Sequence, residues 1–186
     1  MQTREPDDLI LIQAAQEDRE AFGVLYERYV GRIYTYIYYR TGNAFDAEDL
    51  TERVFIRALH HIGNYHDRGL PFSAWLYRIA HNQVVDHLRK KSKRLTVPLD
   101  ENLPAKGEDP RRSIEQKIEI EEIVAAAKGL TRAQQEVISL RFAGELSVAE
   151  CAKTMGKSEG AVKALQHSAI LALRKALGRE AQNEQG

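Results

Sequence analysis

Lys163, Ala164, His167 and Ser168 recur at spacings of one, three and four, which places them together on one face of a helix. An ammonium, an imidazole, a hydroxyl and a methyl group suit hydrogen bonding to phosphates and base edges better than bond cleavage. A second group is more strongly charged. Arg89, Lys90, Lys91, Lys93 and Arg94 form the densest basic cluster in the chain, with Arg78, Asn82 and an aromatic-bearing loop just upstream. That combination points to a nucleic-acid surface, although cations at a helix C-terminus are also favoured by the helix dipole and need no ligand there. Catalytic chemistry has no comparable support. Histidines 60, 61, 66, 81, 87 and 167 lack metal-ligand spacing, no glycine-rich phosphate loop is present, and the single cysteine, Cys151, has no nearby helper. No metal, no cofactor and no enzymatic activity are expected.

The elements that position the first group are legible in the stretch from Leu146 to Leu177. Ser147 with Glu150 forms a capping box, so a helix should start at Val148 and bury Val148, Ala152 and Met155 until Gly156 ends it. Ser158 is a second N-cap, and Val162, Leu165, Ala169, Leu173 and Leu177 then define a longer amphipathic helix. Two helices joined by so short a turn form a helix-turn-helix signature, whose second helix enters the major groove of DNA. The same pattern occurs in bundles that never meet nucleic acid, and this outward face is poor in basic residues.

At 186 residues with 43% hydrophobic content, the chain has enough apolar material for one or two small cores. Lys plus Arg equals Asp plus Glu at 27 each, so contact with nucleic acid must come from local patches. One cysteine excludes an internal disulfide framework, and its position inside a helix marks Cys151 as a small buried hydrophobe. No apolar run reaches membrane length, and Arg4, Glu5, Asp7 and Asp8 interrupt the start, so neither membrane insertion nor a signal peptide is expected and a cytoplasmic location is the default.

Taken in order, Asp7 to Gln16 is a short helix. Asp18 opens a longer one with Phe22, Leu25, Tyr26, Tyr29, Ile33, Tyr36 and Ile37 on its apolar stripe; the tyrosines there are expected to pack in the core rather than stack on bases. After Gly42 and Asn43, a helix from about Asp46 to Ile62 should bury Ala47, Leu50, Val54, Ala58 and Ile62. It leaves Asp46, Asp49, Glu52, Arg53 and Ile56 on its other face, as either solvated surface or a docking site. The polar loop Gly63 to Leu70 leads through Pro71 into a helix from Phe72 to about Lys91. From Thr96 to Pro110, prolines and interspersed acids mark a linker. Helices are expected over Ser113 to Lys128, with Gly129 as C-cap, and from the Thr131/Gln134 capping box through Val137, Ile138 and Phe142 to Gly144. Residues from Gly178 on read as a polar tail.

Four segments of this chain resemble, in order, those of the extracytoplasmic-function sigma factors of bacterial RNA polymerase: DREAFGVLYERYVGRIYTYI, DAEDLTERVFIRAL, PFSAWLYRIAHNQVVDHLRK and LTRAQQEVISLRFAGELSVAECAKTMGKSEGAVKALQH. The resemblance implies an all-α protein of two small helical domains, a region 2-like domain over 1–95 and a region 4-like helix-turn-helix domain over 113–178. A flexible linker over 96–112 would join them, and 179–186 would be the tail. It implies binding to core RNA polymerase and to promoter DNA as duplex and as non-template single strand, and an anti-sigma factor as regulator.

Residue by residue, the resemblance makes Asp46, Asp49, Glu52, Arg53 and Ile56 candidate polymerase contacts. Tyr65, His66, Arg68, Trp75, Arg78, Asn82, Arg89 and Lys90 become candidates for the minus-ten element, the loop residues capturing an unstacked base. Ser147, Ser158, Lys163, Ala164, His167 and Ser168 become candidates for the minus-thirty-five duplex. The chain departs from the family pattern at Ala164, Leu165 and Ser168, where many relatives carry serine or arginine, and at Glu52, where glutamine is common. Fewer guanidiniums mean fewer phosphate and guanine contacts, so duplex affinity of this module alone should be low and recognition should lean on DNA shape. A stand-alone helix-turn-helix regulator and a protein-only adaptor are the alternatives to this reading.

Overall fold

A computed structural model of the chain describes residues 6–67, 70–94 and 125–183. The linker over 96–112, Arg68, and the helix expected from Ser113 as far as residue 124 lie outside the described residues. Among the described residues there are helices and turns but no strand.

The first helix, α1, spans Pro6–Glu17, and a single 3-10 turn over Arg19–Ala21, capped by Asp18, leads into α2, Phe22–Thr41. Asp8 fastens α1 to α2 by accepting from Arg28 at 2.6 Å and from the Tyr29 hydroxyl. Gly42 ends α2 with φ at 64°, a conformation that favours glycine because it lacks Cβ. Asn43 then accepts from the Asp46 amide and starts α3, Ala44–His61, two residues before the expected Asp46. The five positions expected to be buried on this part of the chain, Ala47, Leu50, Val54, Ala58 and Ile62, are all buried. After a 3-10 turn at Ile62–Asn64 comes α4, Phe72–Arg94.

In the second half, Thr131 and Gln134 form both arms of a capping box and open α5, Arg132–Ile138, which widens into a π-helical turn over Ser139–Ala143. Ser147 and Glu150 do the same for α6, Val148–Met155, which Gly156 ends at φ 64°. The last helix, α7, runs over Glu159–Asn183, and the Ser158 hydroxyl accepts from the Ala161 amide at its start.

Several expectations need correction. Tyr26 is 43% exposed, at the rim of the α2 stripe, where it meets Phe55 edge-on at 4.8 Å. Phe142 is 63% exposed. The π turn adds a residue to the helical repeat and so rotates Phe142 off the buried face. Leu177 is also exposed, and the stretch expected to be a polar tail is helical as far as Asn183, because one glycine costs a helix only about 1 kcal/mol.

The two halves share one core. Leu25, Ile33, Tyr36, Leu50, Leu76, Tyr77 and Val84 from the first half are continuous with Val137, Leu140, Leu146, Cys151 and Val162 from the second. Burial pushes the Cys151 thiol up to about 12, consistent with a hydrophobe rather than a nucleophile.

Candidate nucleic-acid interface

The outward face of α7 forms as its sequence pattern requires. Val162 and Ala169 are fully buried on one side of the helix, and Lys163, Ala164, His167 and Ser168 are exposed on the other. Ser168 is held in place there. Its hydroxyl donates to the Leu165 carbonyl and accepts from Gln134 Nε2, each at 3.0 Å. Gln134 therefore stands beside this outward face, a position that its capping-box pattern does not reveal. Ser147 and Ser158 are both exposed, but their hydroxyls are engaged with the backbone amides that open α6 and α7.

On α4, Trp75, Arg78, Asn82 and Arg89 follow one another at three, four and seven residues and so share a face. Arg78, Asn82, Arg89 and Lys90 are exposed, Trp75 is half-buried, and Arg89 pairs with Asp86 at 3.1 Å. Tyr65 corrects the expectation for the loop. It is only 8% exposed, packed edge-on against Phe72 at 5.6 Å and Trp75 at 5.1 Å, while Gln16 donates to its carbonyl at 2.8 Å. A small aromatic cluster thus anchors the loop from beneath, and His66 is the exposed residue next to it. Above the cluster lies a cavity of about 290 Å³ lined by Asn64, Tyr65, His66, Leu70, Ala74, Trp75 and Arg78, with Lys153 and Thr154 of α6 contributing to its lining. An aromatic floor with an imidazole and a guanidinium at the rim suits an unstacked base, which offers both a π face and hydrogen-bonding edges.

The α3 face divides in two. Asp49, Glu52, Arg53 and Ile56 are exposed, with Asp49 and Arg53 ion-paired at 3.0 Å, and Phe45, 56% exposed, joins the same side. Phe45 was detectable only as an aromatic residue off the apolar stripe. Asp46 is half-buried and turned towards α4, where it meets Lys91 at 3.1 Å and His87 at 3.2 Å. It serves as a tie between two helices, which sets it apart from the exposed docking candidates. No group of three or more His, Cys, Asp or Glu residues with metal-binding geometry occurs among the described residues, and no described helix is long and apolar enough to cross a membrane.

The Sigma-70 region 2 family matches residues 25–94, and the Sigma-70, region 4 family matches residues 126–175. The ECF RNA polymerase sigma factor SigW of Bacillus subtilis is 33% identical over 181 residues, covering 89% of this chain and 93% of SigW. The chain belongs to the extracytoplasmic-function sigma factors. The ECF RNA polymerase sigma factor BldN of Streptomyces coelicolor is 42% identical to this sigma factor over 170 residues, covering 90% of the chain; the match spans 64% of BldN. Among solved structures, CnrH in complex with the cytosolic domain of CnrY has the same fold, with a TM-score of 0.69 at 24% identity, covering 91% of this chain and 96% of that one. So does the sigma factor RpoE from Bartonella quintana in complex with the anti-sigma factor NepR, at 0.68 and 19% identity, covering 84% and 96%.

Proposed function

We propose that this sigma factor acts in the cytoplasm, binding core RNA polymerase and directing it to specific promoters. Residues 1–95 would dock on the polymerase and melt and hold the minus-ten element, and residues 113–178 would read the minus-thirty-five duplex. The linker 96–112 would span the two, with 179–186 as the C-terminal end. The single observation that carries this reading is that region 2 and region 4 matches occur in order on one chain. The exposed α3 face of Asp49, Glu52, Arg53 and Ile56 supports polymerase docking. The α4 stripe of Trp75, Arg78, Asn82 and Arg89 beside the aromatic-floored cavity supports capture of a non-template base. Extruding that base costs a few kcal/mol, which contacts from His66, Arg68, Arg78 and Asn82 would offset. Lys163, Ala164, His167 and Ser168 would face the groove, with Ser147 and Ser158 near the backbone. An anti-sigma factor is proposed as a regulatory partner, by analogy with the complex of RpoE and NepR.

Run-off transcription with core polymerase on a promoter library tests the reading directly. Promoter-dependent transcripts with a shared upstream motif are expected. Tight, specific duplex binding by the chain alone, with no transcripts, would favour a stand-alone regulator instead.

A further inference from the structure

Beside the outward face of α7, a chain of hydrogen bonds starts from a backbone amide and fixes the polarity of every group along it. The Thr131 N–H can only donate, and it does so to Gln134 Oε1 at 3.0 Å. The carboxamide is thereby held with Nε2 turned to α7, where it donates to Ser168 Oγ at 3.0 Å. Ser168 has one proton to give, and it goes to the Leu165 carbonyl at 3.0 Å, an oxygen that can only accept. After these bonds, one N–H on Gln134 Nε2 and one lone pair on Ser168 Oγ stand side by side, with no further partner among the described residues.

We propose that Gln134 and Ser168 form a composite reader of one adenine in the minus-thirty-five duplex, Gln134 donating to N7 and Ser168 accepting from the N6 amino group. The inference rests on the functional reading above and adds a base specificity to it. In the major groove, adenine alone sets a donor beside an acceptor on its own edge; guanine offers two acceptors, cytosine a donor, and thymine an acceptor beside a methyl group. Opposite guanine, Ser168 would meet O6 with a lone pair, and its proton cannot turn outward without abandoning the Leu165 carbonyl. A free glutamine carboxamide reads adenine with both of its polar atoms. Here Oε1 is occupied by Thr131, and the Ser168 hydroxyl takes its place as the acceptor.

The pair is placed and rigid enough for this. Ser168 shares the exposed face of α7 with Lys163, Ala164 and His167, and Gln134 is half-buried against it. As the third residue of the capping box, Gln134 is tied to Thr131 twice, its amide N–H donating to Thr131 Oγ1 at 3.3 Å while its side chain returns to the Thr131 amide. Its rotamer is thus fixed before DNA arrives, and little side-chain entropy is lost on binding. Both groups are neutral, so the pair discriminates between bases without neutralising a phosphate, and the salt dependence of binding does not depend on it.

The test uses the full chain assembled with core polymerase, on promoter duplexes randomised over the minus-thirty-five element. The wild type should select adenine at one position by about tenfold over the other bases. Gln134→Glu keeps an acceptor for the Thr131 N–H but replaces the outward N–H with a second acceptor. Preference at that position alone should then move to cytosine, whose N4 amino group suits a carboxylate. Ser168→Ala should lower selectivity at the same position, and the double variant should lose no more than the stronger single one, because the two residues act as a unit. Placing 7-deazaadenine there, which lacks the N7 acceptor, should weaken wild-type binding about fivefold and leave Gln134→Glu binding unchanged. Slopes of affinity against salt should be the same for all variants. If Gln134→Glu lowers the melting temperature, Ser168→Ala and the 7-deazaadenine probe carry the test alone. An unmoved adenine preference in folded variants, or a loss spread evenly over all positions, would overturn the composite reader while the transcripts still uphold the functional reading. Failure of the wild-type holoenzyme to select any upstream sequence would remove that reading and this inference together.

Discussion

The carboxylate of Asp46, in the first turn of α3, lies 3.1 Å from Lys91 Nζ near the end of α4, forty-five residues away. One cation of the basic cluster is therefore engaged within the protein, and one acid of α3 is turned towards α4. Asp46→Ala should lower stability by about 1 kcal/mol in urea unfolding, the scale of a partly exposed ion pair, and leave polymerase affinity near wild type.

Reversal of charge at Asp49 and Glu52 should do the opposite. Both side chains are exposed and lie off the buried stripe, so circular dichroism should not change while binding to core polymerase weakens. Undiminished affinity in a pull-down titration would mean that this face is ordinary solvated surface.

Alanine at His66, Arg68 and Asn82 should impair open-complex formation on duplex promoters, and the defect should shrink on a template already mismatched at the minus-ten element. Lys163→Ala and His167→Ala should instead lower occupancy about equally on both templates. Lys163→Ala should also flatten the salt dependence, by about one counterion, if the ammonium meets a phosphate. Permanganate footprinting on paired and premelted templates measures the contrast, and equal rescue of both sets would remove strand separation from the first domain.

Stability should fall as pH rises above about 9. Burial raises the Cys151 thiol to about 12, and raises the phenols of Tyr36, Tyr77 and Tyr29 above their ordinary value of 10.0. Their neutral forms are thus favoured in the native state. The contribution is fully present below the unfolded-state values and is lost as the pH climbs towards the folded ones, because the unfolded chain releases these protons first. Each group adds a slope of at most about 1.4 kcal/mol per pH unit. Urea midpoints measured from pH 8 to 11 should decline, and Cys151→Ala should soften the first part of that decline; a flat profile would contradict it.

Gly144→Ala should destabilise the chain by roughly 1–3 kcal/mol. An added Cβ would come within 2.6 Å of the Leu140 carbonyl oxygen and 3.1 Å of Tyr77 Cζ, and the backbone oxygen has little room to move. Thermal melting reads the effect, and an unchanged midpoint would show that the turn relaxes freely.

The local sequence by itself determined most of the helices. Asn43, Thr131, Ser147 and Ser158 have side chains that satisfy the amides a new helix leaves unpaired, and Gly42 and Gly156 accept the left-handed backbone that ends one. The outward face of α7 was equally legible, because Lys163, Ala164, His167 and Ser168 follow from helical spacing opposite Val162 and Ala169. The tertiary structure alone decided the rest. Tyr65 turned inward because Phe72 and Trp75, from the next helix, offered its ring a partner, while Asp46 was drawn to His87 and Lys91, more than forty residues on. Phe142 left the core through a π turn whose extra residue no periodicity announces. The seating of Lys153 and Thr154 by the cavity over Tyr65 and Trp75 depends on how two separately legible halves pack. Caps and spacings act within a few residues, whereas burial and ion pairing are settled by neighbours distant in sequence.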